Sequence, residues 1–458
     1  MPSVYTADPA IQAVADFLAD AVSAADFPKT ILRFRNDRAA ANVGLDTLSD
    51  DDWVAHFGRF RPLPDNLPEP LALRYHGHQF QVYNPDLGDG RGFTFAQLRS
   101  EDGRLLDLGT KGSGQTPWSR FGDGRLTLKG GVREVLATEM LEALGVNTSK
   151  SFSLIETGEN LYRNDEPSPT RSAVLVRMSH GHIRIGSFQR LAMLNLTDEM
   201  RRLVDYVLEA LYGEAPGDEP AHRLLALVVE RAAALGASYM AAGFVHGVLN
   251  SDNINVTAES FDYGPWRFTP DWDMKFVSAY FDERGLYAFG RQPTAIYWDV
   301  VQLGVALSKI VDVETLGPIL DGFPAAYERA YIAAMLGRLG VRPRGEAHDL
   351  PLLEAIERGL NSGGVGIDRF FFDWANGRRH GLSPADAAYA EHFPGLPAAL
   401  DGYEPARADH AYWSDEAPCS MHIDEVEAIW SAIDTADDWA PFHAKVAAIR
   451  RMGEAHRV

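Results

Sequence analysis

Apolar positions along this chain repeat with two different periods, and the change of period divides it. From about residue 71 to 185 the apolar runs are short and broken by Gly-, Asn- and Asp-rich turns, as strands are. LLDLGTKG reads as a strand ending at Lys111, and SFSLIETG and SAVLVRMS as two more. QVYNPDLGDGRGFTFAQL reads as a hairpin about a Gly-rich turn, and Asp102-Gly103 marks a second turn. One helix interrupts this region. Val132, Val135, Leu136, Met140, Leu141 and Leu144 form a stripe, and Gly145 stops it.

From about residue 190 the period becomes helical. MRRLVDYVLEALYG, HRLLALVVERAAALGASYMAAG and YWDVVQLGVALSKIV are periodic, with a polar Gly/Asn/Asp-rich stretch before the third. Ahead of the strands, an amphipathic helix is expected around Ile11–Ala24, then a Pro-rich stretch ending in RPLPDNLPEP. The pattern predicts an α+β chain of protein-kinase-like, two-lobed layout. An N-terminal extension (1–70) precedes a β-rich first lobe (71–187). A helical second lobe (188–311) and a helical C-terminal region (312–458) follow.

Composition narrows the function classes. Lys plus Arg number 43 and Asp plus Glu 64, a formal net charge of −21, which disfavours nucleic acid and anionic membrane as partners. No apolar run is expected to span a membrane, and the first residues lack the basic-then-apolar pattern of a signal peptide, so the expected setting is cytoplasmic. The lone cysteine, Cys419, excludes an intramolecular disulfide.

The candidate chemistry lies in two clusters. In the helical part, His246 to Asn253 (HGVLNSDN) fit the eight-residue frame of a kinase catalytic loop, with Val248 where the catalytic Asp would stand. Asp262-Tyr263-Gly264 follows in the place of Asp-Phe-Gly. Asn253 and Asp262 are hard oxygen donors suited to Mg²⁺ bridging phosphates, with Mn²⁺ as the alternative ion. Asp252 is the candidate proton acceptor. Asn250–Asn253 alone would read as turn chemistry, and it is the added Asp262 motif that favours a metal site. His246 reads as a structural residue that orients its loop.

The second cluster is in the strand region. Gly88, Gly90 and Arg91 lie in one GDGR turn, and Asp123 and Gly124 in another. Glycines there would let backbone N–H groups approach phosphate. Lys111 on a strand and Glu134 on the next helix could form the pair that positions phosphates, with Glu139 as a rival partner. Arg177 and Arg184 flank SHGHI and either converge on phosphates or form a surface pair. The His-x-His spacings of YHGHQF and SHGHI lack the further ligands a zinc site needs.

These motifs together resemble the selenoprotein O family, protein adenylyltransferases with a pseudokinase fold. The likeness runs over about 71–303 through YHGHQF, LGDGRG, LGTKGSGQTPWSRFGDGR, VREVLATEMLEALG, IRIGSFQR, FVHGVLNSDNINV, FDYGPW and QPTAIYWDVVQL. WSAIDTADDWAPFHAKVAAIRRMG near the carboxy terminus resembles a sub-branch of the family. The resemblance implies transfer of AMP from ATP, bound inverted relative to ordinary kinases, onto Ser, Thr or Tyr hydroxyls of proteins. It implies that Lys111, paired with Glu134, contacts phosphates, and that Gly88, Gly90, Arg91, Asp123 and Gly124 line the nucleotide site. Arg177 and Arg184 would hold phosphates, Asn253 and Asp262 Mg²⁺, and Asp252 the proton. The alternatives are a nucleotide-binding scaffold without activity and a γ-phosphoryl-transferring kinase with a displaced base. A monomer is expected. Gln81, Asp86 and the LKGG before the Glu134 helix depart from the family pattern, all outside the metal residues. With Cys419 alone, redox control by an internal disulfide is not expected.

Overall fold

The computed structural model describes residues 4–164 and 166–457. Twelve strands occur among them. In chain order they are β1 (Ala19–Ala21), β2 (Ile31–Arg35), β3 (Leu71–Leu73), β4 (Gly77–Gln79), β5 (Val82–Asn84) and β6 (Thr94–Arg99). There follow β7 (Leu105–Lys111), β8 (Leu126–Thr127), β9 (Lys150–Leu161), β10 (Thr170–Ser179), β11 (Phe244–Val245) and β12 (Arg267–Phe268). The large sheet has the order β1-β3-β6-β7-β10-β9-β2, with β8 also paired to β10, and its pairings are antiparallel. β7 is buried along its whole length, so Lys111 ends a strand with no solvent face.

Helix α1 (Leu128–Ala143) packs on this sheet. Thr127 caps its start, its hydroxyl accepting from the Gly130 N–H at 3.1 Å. Gly145 (φ 81°) turns the chain away at its end. Helices α2 (Ile185–Met193), α3 (Pro220–Ala242), α4 (Gln292–Leu307) and α5 (Phe323–Leu339) form the helical part. α3 starts on a proline and ends at left-handed Gly243. The tail ends in α6 (Ile423–Ala436) and α7 (Ala440–Ala455).

Four expectations are corrected. The stretch 1–70 is no separate extension in the sheet, because β1 pairs with β3 and β2 with β9. The amphipathic pattern around Ile11–Ala24 breaks into a 3-10 turn (Ala10–Ala13), one helical turn (Ala15–Leu18) and β1, since pairing to β3 captures Ala19–Ala21. The runs flanking GDGR are not partners in a hairpin. β5 pairs back to β4 while β6 pairs with β7 and β3, so tertiary pairing overrides local turn grammar. Finally, α3 is long and apolar enough to cross a membrane, but 67% of its apolar window is buried, against neighbours that include α4 and α5. Its apolarity serves a core.

Candidate functional site

A cavity of about 680 Å³ separates the sheet from the helical part. Six cations line it (Arg91, Lys111, Arg120, Arg125, Arg163 and Arg177) against four aspartates (Asp89, Asp123, Asp252 and Asp262). That local excess of positive charge suits a polyanion, whatever the net charge of the chain.

Asp262 is the hub. Its backbone is left-handed (φ 65°), a conformation that aspartate tolerates better than most residues. Lys111 reaches its Oδ1 at 2.8 Å, Arg177 the same oxygen at 3.3 Å, and Arg184 its Oδ2 at 3.3 Å. Burial opposes its ionisation, but Lys111, Arg177 and Arg184 outweigh it and hold the carboxyl well below the usual range. Lys111 donates also to Glu134 in a buried ion pair. Glu139, the rival partner, turns away and takes two hydrogen bonds from Arg450. Arg177 and Arg184 are buried rather than a surface pair. Both guanidinium groups lie over the Phe261 ring, at 5.1 and 4.7 Å from its centroid.

Asp252 sits in opposite surroundings. It is 7% exposed, and its Oδ1 has no hydrogen-bond partner. Burial raises its carboxyl to about 6, opposed by Arg184. Asn253 donates its Nδ2 to the Val248 carbonyl at 2.9 Å. That bond orients the amide and leaves its oxygen as an acceptor. The loop is held by its neighbours: His246 Nε2 lies 3.1 Å from the Phe261 carbonyl, in keeping with an orienting histidine, and the His246 N–H donates to Gln292 Oε1 at 3.0 Å.

Among the described residues no three of His, Cys, Asp and Glu cluster to hold a metal. Asn253 and Asp262 nonetheless carry the kind of oxygen donor that suits a hard divalent cation drawing its remaining ligands from phosphate, and Asp262 lines the cavity with Asp252. The donors are all oxygens, and the Asp252 Oδ1 is buried without a partner.

Gly88, Gly90, Arg91, Asp123 and Gly124 line the cavity. Their glycines have a packing reason that sequence reasoning assigned to phosphate. A Cβ at Gly88 would lie 2.4 Å from the Trp118 ring, and Gly124 combines φ 69° with backbone contact to Gly114. Asp123 is tied to Arg163 at 2.8 Å.

The histidine motifs are braces. The N–H of His78 donates to Ser251 Oγ at 2.8 Å and that of Phe80 to Asn250 Oδ1 at 3.1 Å. A Cβ at Gly77 would strike Asp252 Oδ1 at 2.9 Å, so YHGHQF is pressed against the loop that carries the acid. Sequence reasoning missed three residues as site members. Asp89 receives Arg184 at 3.3 Å, and the doubled GDGR was its only signal. His182 accepts from Arg177 Nε at 3.2 Å and faces Asp107 at 3.1 Å through Nδ1, which orients the arginine. Asp299 on α4 is fully buried with neither carboxylate oxygen bonded, and burial, then Asp252, push its carboxyl well above the usual value.

Comparison with known proteins gives a consistent result. The profile of a family described as "Protein adenylyltransferase SelO" matches residues 4–393. A "Protein nucleotidyltransferase YdiU" of Synechocystis sp. is 50% identical over 345 residues, covering 73% of this chain and 71% of that protein. One of the same description from Gloeobacter violaceus is 43% identical over 463 residues, covering 97% and 95%.

Proposed function

This chain belongs to the SelO family of protein adenylyltransferases, and we propose that it transfers AMP from ATP to Ser, Thr or Tyr hydroxyls of other proteins. That it is a nucleotidyltransferase follows from the family. The observation that carries the finer reading is the meeting of Lys111, Arg177 and Arg184 on Asp262, with the unpaired Asp252 in the same cavity. Two carboxylates with opposite protonation tendencies suit two roles: Asp262 stays ionised, and Asp252 can take a proton near neutrality.

In this reading the chain has a kinase-like fold, and ATP lies inverted in the cavity. The acceptor hydroxyl oxygen bonds to the α-phosphorus, the bond to pyrophosphate breaks, and the hydroxyl proton passes to Asp252. Lys111, fixed by Glu134, and Arg177 and Arg184 hold phosphate oxygens and balance their charge. Asn253 and Asp262 would hold Mg²⁺, which when bound supplies further charge neutralisation at the phosphates. His182 and Asp107 keep the Arg177 fork in register.

The test is incubation of the full chain with a protein mixture and ATP labelled at either the α- or the γ-phosphate. Protein label from α alone is expected. Label from γ alone would mean a kinase, and label from neither, with ATP still bound, a scaffold. Asp262→Ala is expected to abolish transfer, and unchanged transfer would refute the role given to Asp262.

A further inference from the structure

A second cavity, about 430 Å³, lies apart from the nucleotide cleft, where the carboxy-terminal end of α1 meets α3, α5 and α7. Arg38, Glu139, Arg338, Arg407, Arg450 and His456 line it. Most of these charges are matched. Glu139, 3% exposed, takes hydrogen bonds from Arg450 at 2.8 and 2.7 Å and from Arg38 at 3.2 Å. Glu142 on the rim is met by Arg38 at 3.1 Å and Lys150 at 3.3 Å. Arg338 pairs with Asp368 at 2.5 Å and caps the Ala241 carbonyl at the end of α3.

Arg407 is the exception. It is 8% exposed, and one NH2 caps the Gly337 carbonyl in the last turn of α5. Its Nε and NH1 have no hydrogen-bond partner, and no carboxylate lies within ion-pair distance among the described residues. The Nε of Arg338 is also without a partner. A helix-capping role explains one nitrogen of Arg407 and leaves two over. Burial, and after it the charges of Arg407 and Arg338, hold the neighbouring His456 imidazole well below its usual value. A buried cation without a counter-ion carries a desolvation penalty that an anionic ligand offsets.

We propose that this cavity is a second anion site, which takes a small phosphate-bearing molecule against Arg407, Arg338 and Arg450. The guanidinium groups come from three chain segments, and arginines outnumber the carboxylates that line the cavity, which suits the several oxygens of a phosphate. The volume lies within the range of small-molecule pockets and exceeds what a bare ion needs, so it has room for the organic part of a phosphate monoester.

The test uses the full chain saturated with ATP, so that the nucleotide cleft is already filled. Inorganic phosphate and glycerol phosphate are titrated while the His456 ring resonances are followed by NMR, with acetate at matched ionic strength as the comparison. Phosphate and glycerol phosphate are expected to shift His456 and raise its pKa. Arg407→Met is expected to weaken that binding at least tenfold, to leave ATP binding unchanged, and to melt no lower than the parent in phosphate-free buffer. Arg407→Lys, which keeps the charge, is expected to retain part of the binding. A His456 signal unmoved by phosphate, an equal response to acetate, or undiminished binding in Arg407→Met would each overturn the site. Should Arg407→Met fail to fold, the phosphate-against-acetate comparison at His456 in the parent chain decides by itself.

Discussion

Asp252 and Asp262 lie in one cavity, yet only one of them is surrounded by cations. The three contacts on Asp262 fix it as an anion. Asp252 keeps one buried oxygen with no partner, so burial dominates and its carboxyl rises to about 6. A group with a raised carboxyl value is protonated where an ordinary aspartate is not, and a protonated carboxyl cannot accept a proton. AMP transfer is therefore expected to fall as pH drops through about 6 and to level off above it. Asp252→Asn should lower the rate at least ~100-fold and remove that acid limb. Initial rates of α-label incorporation between about pH 5 and 8 check both. An unchanged limb in the variant would assign it to another group.

At the scale of elements, the cleft depends on where α1 sits. It carries Glu134 to Lys111, and its other end is tied to α7 through Glu139 and Arg450. Its start rests on one side-chain cap, Thr127 to the Gly130 N–H. Thr127→Ala leaves an orphan donor in the first turn and is expected to cost about 1 kcal/mol, read from the denaturant midpoint with unchanged slope. Much of this element was legible beforehand. Its stripe from Val132 to Leu144, the stop at Gly145 and the Lys111 strand are local patterns, and local patterns survive folding. The GDGR runs were misread because strand partners are chosen by the sheet, and the nearest apolar run in sequence is not always the neighbour in space.

At the scale of the whole molecule, the tail closes the core of the strand region. Phe442 on α7 is fully buried and meets Phe34 of β2 edge-on, with ring centroids 6.1 Å apart. Arg33 and Arg171, from β2 and β10, also reach Asp437 just beyond α6. Phe442→Ala is expected to destabilise the protein by about 3 kcal/mol or more, measured by denaturant unfolding, because it opens a cavity between first and last segments. A loss under about 1 kcal/mol would mean that the tail merely rests on the surface. Likewise, the stretch 1–70, which reads as an appendage, supplies the strands at both ends of the sheet path.

The sequence alone determined the residue types and the family. The HGVLNSDN frame, the Asp262-Tyr263-Gly264 triplet, Lys111 and Glu134 are contiguous or near-contiguous patterns, and the chemistry of their oxygen and nitrogen donors can be read without a fold. Tertiary structure alone decided which of these groups meet. Arg177 and Arg184, taken alone, favour a surface pair until the chain folds them over Phe261 and onto Asp262. The YHGHQF histidines, which lack the further ligands of a metal site, acquire a role only when their segment is seen braced against Asn250, Ser251 and Asp252. His182 and the unpaired Arg407 carry no local signal, and Asp89 only the doubled GDGR, because burial and charge balance depend on partners far away in the sequence. A periodic pattern specifies how a segment is shaped, whereas the field at a carboxylate or a guanidinium is the sum over everything the fold brings near it.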